Sequence, residues 1–366
     1  MPKLSLHLVA WNSLSDLPDL FESIENQTYK NFVVRVVDNG SGDGVEKWLR
    51  EKYPTVTIIR NARNLGFGAA HNQMIKYAVS HWGGDHAVQR GAGQAGSLLG
   101  REDLNHCYCV TINPDIIMRP TCLEELVKEA EAHSEAASFS PKLLRTFQDN
   151  GTDEVLRERT NSDVIDSTGL RGNKFRWFYE RGAGELDQGQ FDAAREVFGV
   201  CAALAMYRAS ALEDIKMSDG EYFDEDFFAY KEDIDLAWRL RGAGFEARFV
   251  PEAVAHHARG MYGKERAGFF ERLKNRRKKS KVRNFYSTRN HWWMLFKNMS
   301  LVEYLLATWW IKPAEAARFF YVCLFEPSNV RAIGQFFGGL GKMRRKRREI
   351  LTRRKVPRQN ISQWFR

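Results

Sequence analysis

A short apolar segment of the chain ends abruptly beside a carboxylate. Residues 107–112 are rich in β-formers and run directly into Asn113, Pro114 and Asp115. Because Pro114 cannot donate to a sheet ladder, a buried parallel strand is predicted to end there. Ligands of open α/β sheets bind outside the carboxyl ends of the strands, which is where Asp115 would lie. Asp115 could hold a Mg²⁺ or Mn²⁺ ion against a bound phosphate, or it could cap the helix predicted to begin near Pro120.

A second group of carboxylates lies much later in the chain. Glu232, Asp233 and Asp235 fall in the first turn of a helix predicted from residue 232 onward. Negative charge there suits the helix dipole, which would explain the group without any chemistry. Alternatively, one of the carboxylates abstracts a proton from an acceptor hydroxyl. Asp235 has Arg239 four residues later, which favours a structural ion pair, so Asp233 is the predicted base.

Two adjacent histidines, His256 and His257, follow a strand predicted over residues 245–250. A single histidine in such a place is more often a structural residue than a metal ligand. Two in a row, in a chain that already has Asp115 as a candidate ligand, make metal binding an equal alternative.

These residues need a scaffold that brings distant parts of the chain together. Apolar strand-like runs alternate with helical segments, and the early strands are predicted over residues 4–10, 32–37, 55–60 and 107–112. Such alternation is typical of βαβ units and predicts a mostly parallel sheet flanked by helices, which is an α/β fold. The turns that follow these strands should meet at one edge of the sheet. Farther along the chain, the polar residues 146–195 are predicted to be irregular and the apolar residues 197–207 to form a strand.

Two of these turns contain candidate nucleotide-binding residues. Asp38 could hydrogen-bond a base or a ribose, whereas Gly66 and Gly68 would let backbone N–H groups approach a phosphate at a helix start. The sequence has neither a Walker loop nor a Gly-x-Gly-x-x-Gly motif. For each turn taken alone, ordinary turn chemistry remains the alternative.

Taken together, the motifs resemble family 2 inverting glycosyltransferases of the GT-A fold, most closely the bacterial rhamnosyltransferase-like branch. They occur in the family's order over about residues 4–260, and their combination is specific although no single one is. The matching motifs are Val9-Ala10-Trp11-Asn12-Ser13, Val37-Asp38-Asn39-Gly40-Ser41, Asn64-Leu65-Gly66-Phe67, Asn113-Pro114-Asp115, Phe223-Asp224-Glu225-Asp226-Phe227-Phe228, Glu232-Asp233-Ile234-Asp235 and Val250-Pro251-Glu252-Ala253-Val254.

The resemblance implies a nucleotide-diphosphate sugar as the donor. Asp38 is implied to recognise the base of this donor, and Asn12, Asn64 and Gly66 to line the nucleotide pocket. The sequence departs from the family at Ala10, where Thr is common, and this leaves base recognition open.

For the reaction, the resemblance implies an Asp-x-Asp-type metal motif with Asn113 in its first position and Asp115 retained. It implies Asp233 as the base and His257 as the histidine on the metal side. A Mg²⁺ or Mn²⁺ ion held by Asp115 and His257 would offset the charge of the departing diphosphate. The expected acceptor is a hydroxyl of a glycan or lipid-linked glycan in cell-surface polysaccharide synthesis, with the donor sugar rhamnose or similar.

Other function classes fit parts of the sequence. A nucleotidyltransferase also places a nucleotide and a metal-bound Asp on an α/β sheet, but the Glu232-Asp233 and His256-His257 motifs favour sugar transfer. A nucleic-acid-binding protein would suit the basic C-terminus, yet no folded nucleic-acid-binding module is recognisable, so nucleic acid is not an expected partner. A donor-binding pseudoenzyme is disfavoured because Asp115, Asp233 and His257 are all present.

The positive charge of the chain is concentrated near its C-terminus. The net charge is +9, but residues 342–358 carry ten Lys or Arg against one Glu, and residues 271–283 carry eight against Glu271. The remainder is mildly acidic, so the basic segments are the ones that would attract an anionic surface. Five scattered cysteines and the lack of a long apolar run predict a cytoplasmic protein.

The chain is predicted to have a catalytic domain and a C-terminal region. Residues 1–262 would form the catalytic domain, with a nucleotide-sugar half (1–115) and an acceptor half (116–262), and residues 263–366 a basic, aromatic helical region. The Gly-rich residues 83–106 are predicted to be a surface loop, longer than is usual in the family.

The C-terminal region places Trp beside cations, at Trp292-Trp293 and at Trp309-Trp310. This pattern favours helices that lie on an anionic membrane surface, at the inner face of the cell membrane, with the basic tail as an anchor. Charges interrupt every apolar run, so the helices would not cross the bilayer; these charges are Lys297, Glu303, Lys312 and Arg318. Ordinary packing against the catalytic domain is the alternative.

Overall fold

The computed structural model describes residues 1–82, 101–148, 159–258, 276 and 280–365. Most of the predicted loop at 83–106 lies outside the described residues, and so does the predicted domain boundary at residue 262. Residues 101–104 at the end of that loop form a short helix.

Most strands of the described chain belong to one nine-stranded sheet, and two form a separate ribbon. The strands are β1 (Lys3–Ala10), β2 (Phe32–Asp38), β3 (Thr57–Arg60), β4 (Cys107–Ile112), β5 (Ile116–Met118), β6 (Ala136–Gln148), β7 (Arg159–Ser167), β8 (Leu170–Gly172), β9 (Phe178–Glu180), β10 (Leu204–Arg208) and β11 (Glu246–His257). The order in the sheet is β3-β2-β1-β4-β10-β6-β11-β5, β7 pairs with β6, and β8 and β9 form the ribbon. Strands β1 to β4 are parallel, as predicted. By contrast, β10, β5 and β7 are antiparallel to their neighbours, so the sheet is mixed.

Helices accompany the sheet and then form the C-terminal region. They are α1 (Leu17–Glu25), α2 (Val45–Lys52), α3 (Phe67–His81), α4 (Arg101–Leu104), α5 (Cys122–Ala132), α6 (Ala209–Ile215), α7 (Glu232–Gly242), α8 (Lys281–Asn298), α9 (Leu301–Leu306), α10 (Thr308–Phe325), α11 (Val330–Gly338), α12 (Leu340–Thr352) and α13 (Arg358–Ser362). Short 3₁₀ turns occur at Glu225–Phe227, Pro327–Asn329 and Gln363–Phe365.

Apolar side chains bury both faces of the sheet. Leu6 of β1 joins one buried cluster with Leu20 of α1, whereas Cys109 of β4 joins a second cluster with Ile75 of α3 and Leu212 of α6. Side chains alternate between the two faces along a strand, so one strand can serve both clusters. With both faces covered, the carboxyl edge of the parallel strands is where polar side chains can meet a ligand.

The structure corrects several predicted elements. The strand predicted at 197–207 begins only at Leu204. The buried residues before it are mostly irregular, and Gly199 O accepts a hydrogen bond from the Leu170 N–H at 2.8 Å. Apolar composition cannot distinguish a buried loop from a strand. The polar segment predicted to be irregular, 146–195, contains β7, β8 and β9, because edge strands need fewer apolar residues.

The strand predicted at 245–250 is also longer than expected, since β11 continues through His257. Pairing with β6 stops at Val250 and resumes at Val254, so the strand passes Pro251 through an irregular stretch without a ladder bond. The extension places His256 and His257 on opposite faces of the sheet.

The C-terminal helices pack against the catalytic part of the chain. Trp293 and Met294 of α8 share a buried apolar cluster with Phe227 and with Ile234 and Trp238 of α7. The packing that the sequence left as an alternative to membrane binding is therefore present for this helix. Among the described residues, no helix combines the length and apolarity needed to cross a membrane.

Candidate active site

The turn after β2 is held by the buried side chain of Asp38. Its Oδ1 accepts the Ser41 N–H at 2.8 Å, and its Oδ2 lies 3.9 Å from Arg60 Nε. Asn12, which follows β1 and has a φ of 50°, joins the same turn: its N–H donates to Ser41 Oγ at 3.1 Å, and its Oδ1 accepts from Gly42 N–H at 2.9 Å. The structure thus brings Asn12 and Asp38 together at the carboxyl edge, while their contact with a nucleotide stays a prediction.

Asn39, which the sequence did not single out, organises the next turn. Its Nδ2 donates to Asn64 Oδ1 at 2.9 Å, and its Oδ1 accepts from the Leu65 N–H at 3.0 Å. Asn61 adds a donor to the same Oδ1 at 3.1 Å. Since Asn39 is itself almost fully buried, this amide fixes the loop between β3 and α3 to the end of β2. Its position directly after Asp38 was the available signal.

Gly66 is required for a close approach of two backbone segments. Its φ is +88°, and a Cβ there would lie 2.3 Å from Phe228 O. The Gly66 N–H donates to Asn64 Oδ1 at 2.8 Å, and the Phe67 N–H donates to Phe228 O at 2.7 Å. Both N–H groups therefore have partners within the chain. The predicted approach of backbone N–H groups near Gly66 and Gly68 to a phosphate stays a prediction.

The end of β4 and the end of β11 meet through an Asp–His pair. Asp115 Oδ1 lies 3.3 Å from His257 Nε2, and Asp115 O accepts from the Ala258 N–H at 2.9 Å. The pairing of β11 with β5 sets this register, because His257 lies opposite Ile116. Asn113 N–H donates to Ala203 O at 2.8 Å and ties the motif to the segment before β10. The side chain of Asp115 is 25% exposed, whereas His257 is buried.

A fully buried carboxylate that the sequence missed holds the other side of this imidazole. Asp166 Oδ2 lies 2.9 Å from His257 Nδ1, and Asp166 Oδ1 lies 3.7 Å from Arg145 Nε. Burial alone would lower the pKa of His257, but hydrogen bonds to Asp115 and Asp166 raise it to about 9. Asp166 lies within the segment predicted to be irregular. The one feature of the sequence that could have identified it is its position between the apolar Ile165 and the small Ser167.

His256, on the opposite face, has a different environment. Burial and the nearby Arg119 lower its pKa to about 4. The two adjacent histidines are therefore not equivalent, and only His257 faces the Asp115 carboxylate.

The three carboxylates at the start of α7 have three different environments. Asp235 is completely buried and bonded to Arg239 at 3.1 Å and to Asn298 at 2.8 Å, which confirms the predicted ion pair. Glu232 is buried, and this burial together with the neighbouring Asp233 raises its pKa to about 8. Asp233 is half-buried, and its Oδ1 accepts the Ile234 N–H at 2.8 Å. Its role as base stays a prediction.

The loop that leads into α7 is held in an unusual conformation by α8. Phe228, Tyr230 and Lys231 all have positive φ angles, which cost free energy in non-glycine residues. Asn290 of α8 stabilises the loop by donating to three of its carbonyl groups, those of Phe227, Ala229 and Tyr230, at 2.8–2.9 Å. The C-terminal region thus supports the loop that positions Asp233.

The chain is similar to known glycosyltransferases in sequence. Residues 5–84 match the family described as Glycosyl transferase family 2. A curated relative from Mycobacterium tuberculosis, N-acetylglucosaminyl-diphospho-decaprenol L-rhamnosyltransferase, is 27% identical over 253 residues, which cover 67% of this chain and 73% of the relative. An uncharacterized glycosyltransferase from Haemophilus influenzae is 33% identical over 79 residues, 22% of this chain and 26% of the relative.

Solved structures share the fold at low sequence identity. GalNAc-T7 in complex with UDP, GalNAc and Mn²⁺ has a TM-score of 0.53 at 13% identity; the alignment covers 95% of this chain and 55% of that one. Residues 1–349 of TarS from S. aureus, in complex with UDP-GlcNAc, have a TM-score of 0.50 at 15% identity over 91% of this chain and 80% of that one. The predicted α/β fold is confirmed and is the GT-A fold of these neighbours, and the match of residues 5–84 supports the resemblance to glycosyl transferase family 2.

Proposed function

We propose that the chain is an inverting glycosyltransferase that moves a sugar from a nucleotide-diphosphate donor to a hydroxyl of a lipid-linked glycan, in cell-surface polysaccharide synthesis. The observation that carries the proposal is the pair formed by Asp115 and His257, two residues far apart in sequence that meet 3.3 Å apart at the carboxyl edge of the sheet. Ligands of α/β sheets bind at this edge.

The Asp115–His257 pair fits a divalent cation. Adjacent ligands of an octahedral ion with bonds of about 2.1 Å are separated by about 3 Å, close to the distance between Asp115 Oδ1 and His257 Nε2. Because Asp166 engages Nδ1, the imidazole directs Nε2 toward Asp115, an arrangement common for metal-binding histidines. Among the described residues, no three or more His, Cys, Asp or Glu side chains are grouped so that they could hold a metal ion by themselves. Phosphate oxygens of the donor would therefore complete the coordination of Mg²⁺ or Mn²⁺, and the bound ion would offset charge on the leaving diphosphate.

Asp233 is the proposed base because the two neighbouring carboxylates are unsuited to the role. Asp235 is buried within ion pairs to Arg239 and Lys297. Burial and the neighbouring Asp233 raise the pKa of Glu232, which favours its protonated form. Asp233 is the more accessible of the three, at the start of a helix braced by α8. Removing the proton of the acceptor hydroxyl there lets the oxygen attack the anomeric carbon in a single displacement, without a covalent enzyme intermediate.

The substrates proposed for this chain follow the curated relative, whose name specifies rhamnosyl transfer to a decaprenol-linked N-acetylglucosamine. dTDP-rhamnose is the first donor to test, with a polyprenyl-diphosphate glycan as acceptor. Such acceptors would place the enzyme at the cytoplasmic face of the cell membrane.

Substitution of Asp233 tests the proposal. Asp233→Asn removes the base but keeps the shape of the side chain, so transfer should fall by about 10²- to 10⁴-fold while calorimetry finds donor affinity nearly unchanged. Asp219→Asn, an exposed carboxylate before the same loop, serves as the control and should transfer normally. Equal transfer by the two variants would remove Asp233 from the role of base.

A further inference from the structure

The charges that interrupt the apolar runs of the C-terminal helices mostly face the protein interior. Lys297 is buried in ion pairs with Asp224 and Asp235. Glu303 is buried and bonded to Arg354. On α10, Glu315 accepts from His291 and Trp292, each at 2.8 Å. The sequence therefore gave a misleading picture of the outer surface of these helices.

With Glu315 and Arg318 turned inward, α10 presents an apolar stripe to the outside. Trp309, Pro313, Ala316, Phe320 and Leu324 recur at spacings of three or four residues, which places them on one side of the helix. All five are exposed, Trp309 by 82% and Leu324 by 70%. A surface helix of a globular protein has the opposite pattern, with its apolar side inward.

Neighbouring helices extend this apolar surface. Leu305 and Leu306 of α9, Phe325 at the end of α10 and Phe337 of α11 are all more than half exposed. Large contiguous apolar surfaces are rare on soluble proteins and mark sites of interaction. We call the exposed apolar side chains of α9, α10 and α11 the outer apolar face.

The exposed charges of the C-terminal helices have one sign over a long stretch of the chain. In the fully described stretch from residue 299 to 348, every exposed charged side chain is basic, namely Lys312, Arg331, Lys342, Arg344, Arg345 and Arg348. The acidic residues of the same stretch are buried or turned inward: Glu303 is bonded to Arg354, Glu315 to His291 and Glu326 to Arg276. A helical region whose exposed side chains are apolar or cationic is complementary to a bilayer with anionic headgroups.

A second copy of the chain is a poorer fit to this surface. A two-fold symmetric dimer would place the same face of each copy against the other, and that would bring the basic residues of the two copies together.

Trp309 and Trp310 also suit the boundary between headgroups and acyl chains, where indole rings are enriched. A cation lies beside one of these rings, since Lys174 Nζ is 3.7 Å from the centre of the Trp310 ring.

We propose that the outer apolar face is a membrane-docking surface, which inserts the side chains of α9 and α10 among the headgroups of an anionic bilayer. Within the basic tail, Lys346 is buried against Glu221 and Asp224, whereas Lys342, Arg344, Arg345 and Arg348 stay exposed and available to anionic headgroups. Of the predicted interfacial tryptophans, Trp293 is buried, and the partly buried Trp292 donates to Glu315 within the chain. The docking surface adds a location to the proposed function and does not depend on it.

Vesicle flotation of the full chain tests the proposal in the absence of donor and acceptor. Wild-type chain should bind vesicles of phosphatidylcholine with phosphatidylglycerol more tightly than phosphatidylcholine alone. The double variant Phe320→Ser/Leu324→Ser should bind at least about tenfold more weakly, because it loses two apolar side chains that would insert. Leu186→Ser removes an equally exposed leucine from the catalytic part of the chain and should bind like wild type.

A second pair of variants tests the charges. Lys312→Gln/Arg331→Gln should weaken binding to the anionic vesicles and leave binding to phosphatidylcholine alone unchanged. Failure of the wild type to float, or equal binding by Phe320→Ser/Leu324→Ser and Leu186→Ser, would overturn the proposal. A wild-type dimer in sedimentation velocity that the Phe320→Ser/Leu324→Ser substitutions dissociate would assign the face to a second copy and would overturn it as well.

Discussion

Two clusters in this molecule surround a cationic side chain with carboxylates, and they differ in what else they can hold. The first cluster joins the C-terminal helices to the rest of the chain, and we call it the docking cluster; it is not part of the membrane-docking surface. In it, Lys346 of α12 lies 2.7 Å from Glu221, 2.6 Å from Asp224 and 2.9 Å from Asp226. In the edge cluster, His257 lies between Asp115 and Asp166 at the carboxyl end of the sheet. Both contain the residue types expected of a cation site.

The docking cluster is closed to any other cation. Lys346 is 1% exposed, and its ammonium group is held in place by oxygens from the catalytic part of the chain. Burial would raise the pKa of Asp224, but Lys297 and Lys346 hold it well below its usual value. This carboxylate is therefore ionised throughout the neutral range, and the cluster fastens the C-terminal helices to the loop before α7.

The edge cluster is open to solvent on one side, and the group between its carboxylates is an imidazole rather than an ammonium group. Asp115 is partly exposed, and an imidazole that loses its proton becomes a metal ligand, which a buried ammonium cannot do. The comparison teaches that the number of carboxylates does not identify a metal site. What distinguishes the two clusters is the group between the carboxylates and its access to solvent.

Removing the cation from the docking cluster should have the largest effect, and the effect should be on folding. Lys346→Met leaves buried carboxylates without their partner, so the free energy of unfolding should fall by about 3–5 kcal/mol. Arg344→Met, an exposed cation on the same helix, is the control and should change it little. Urea unfolding followed by circular dichroism measures both.

The folded fraction of Lys346→Met should still bind the donor in a Mn²⁺-dependent manner with nearly normal affinity, because the edge cluster is intact. Loss of Mn²⁺-dependent binding in a fully folded Lys346→Met protein would mean that the two clusters are not separate in function.

Removing the exposed carboxylate of the edge cluster should give the opposite result. Asp115→Ala should weaken Mn²⁺-dependent donor binding by about a hundredfold, about 2.7 kcal/mol, with little change in the free energy of unfolding since Asp115 is partly exposed. Calorimetric titration with donor, with and without Mn²⁺, measures the effect. Glu252→Ala, an exposed carboxylate on the strand that carries His257, is the control. Donor affinity that is equal in wild type and Asp115→Ala, under both conditions, would contradict a metal role.

The sequence predicted those parts of the fold that are decided by residues close to one another along the chain. Apolar runs at 4–10 and 32–37 that end in polar turns did become β1 and β2. The meeting of Asp115 with His257 was implied by the family resemblance, because spacing along the chain contains no information about which strand ends are adjacent. Asp233 and Asp235 could be distinguished because Arg239 lies one helical turn from Asp235.

The supporting residues were missed for a physical reason. Asn39, Asp166 and Asn290 act through partners distant in sequence, and a buried polar side chain looks the same in a sequence as an exposed one. The same limit affected the C-terminal helices. Glu303 and Glu315 interrupt the apolar runs in the sequence, but the ion pair of Glu303 with Arg354 and the hydrogen bonds of Glu315 with His291 and Trp292 turn them inward and leave an apolar surface outside.

The smallest effect is expected from Asp166, which contacts the edge cluster without facing the donor. Asp166→Asn keeps the shape of the side chain but can no longer accept the Nδ1 proton of His257 as a carboxylate, so Nε2 is less firmly directed toward Asp115. Loss of such a partner lowers metal affinity by about 10- to 100-fold, and the lower end is expected because the amide oxygen can still accept. Titration of Mn²⁺ followed by electron paramagnetic resonance measures this without any turnover. Asp163→Asn, an exposed carboxylate on the same strand, should bind Mn²⁺ like wild type. If Asp166→Asn binds Mn²⁺ as tightly as this control, Asp115 and the strand register alone orient the imidazole. Asp166 would then serve only as the hydrogen-bond partner of the buried Nδ1 atom of His257.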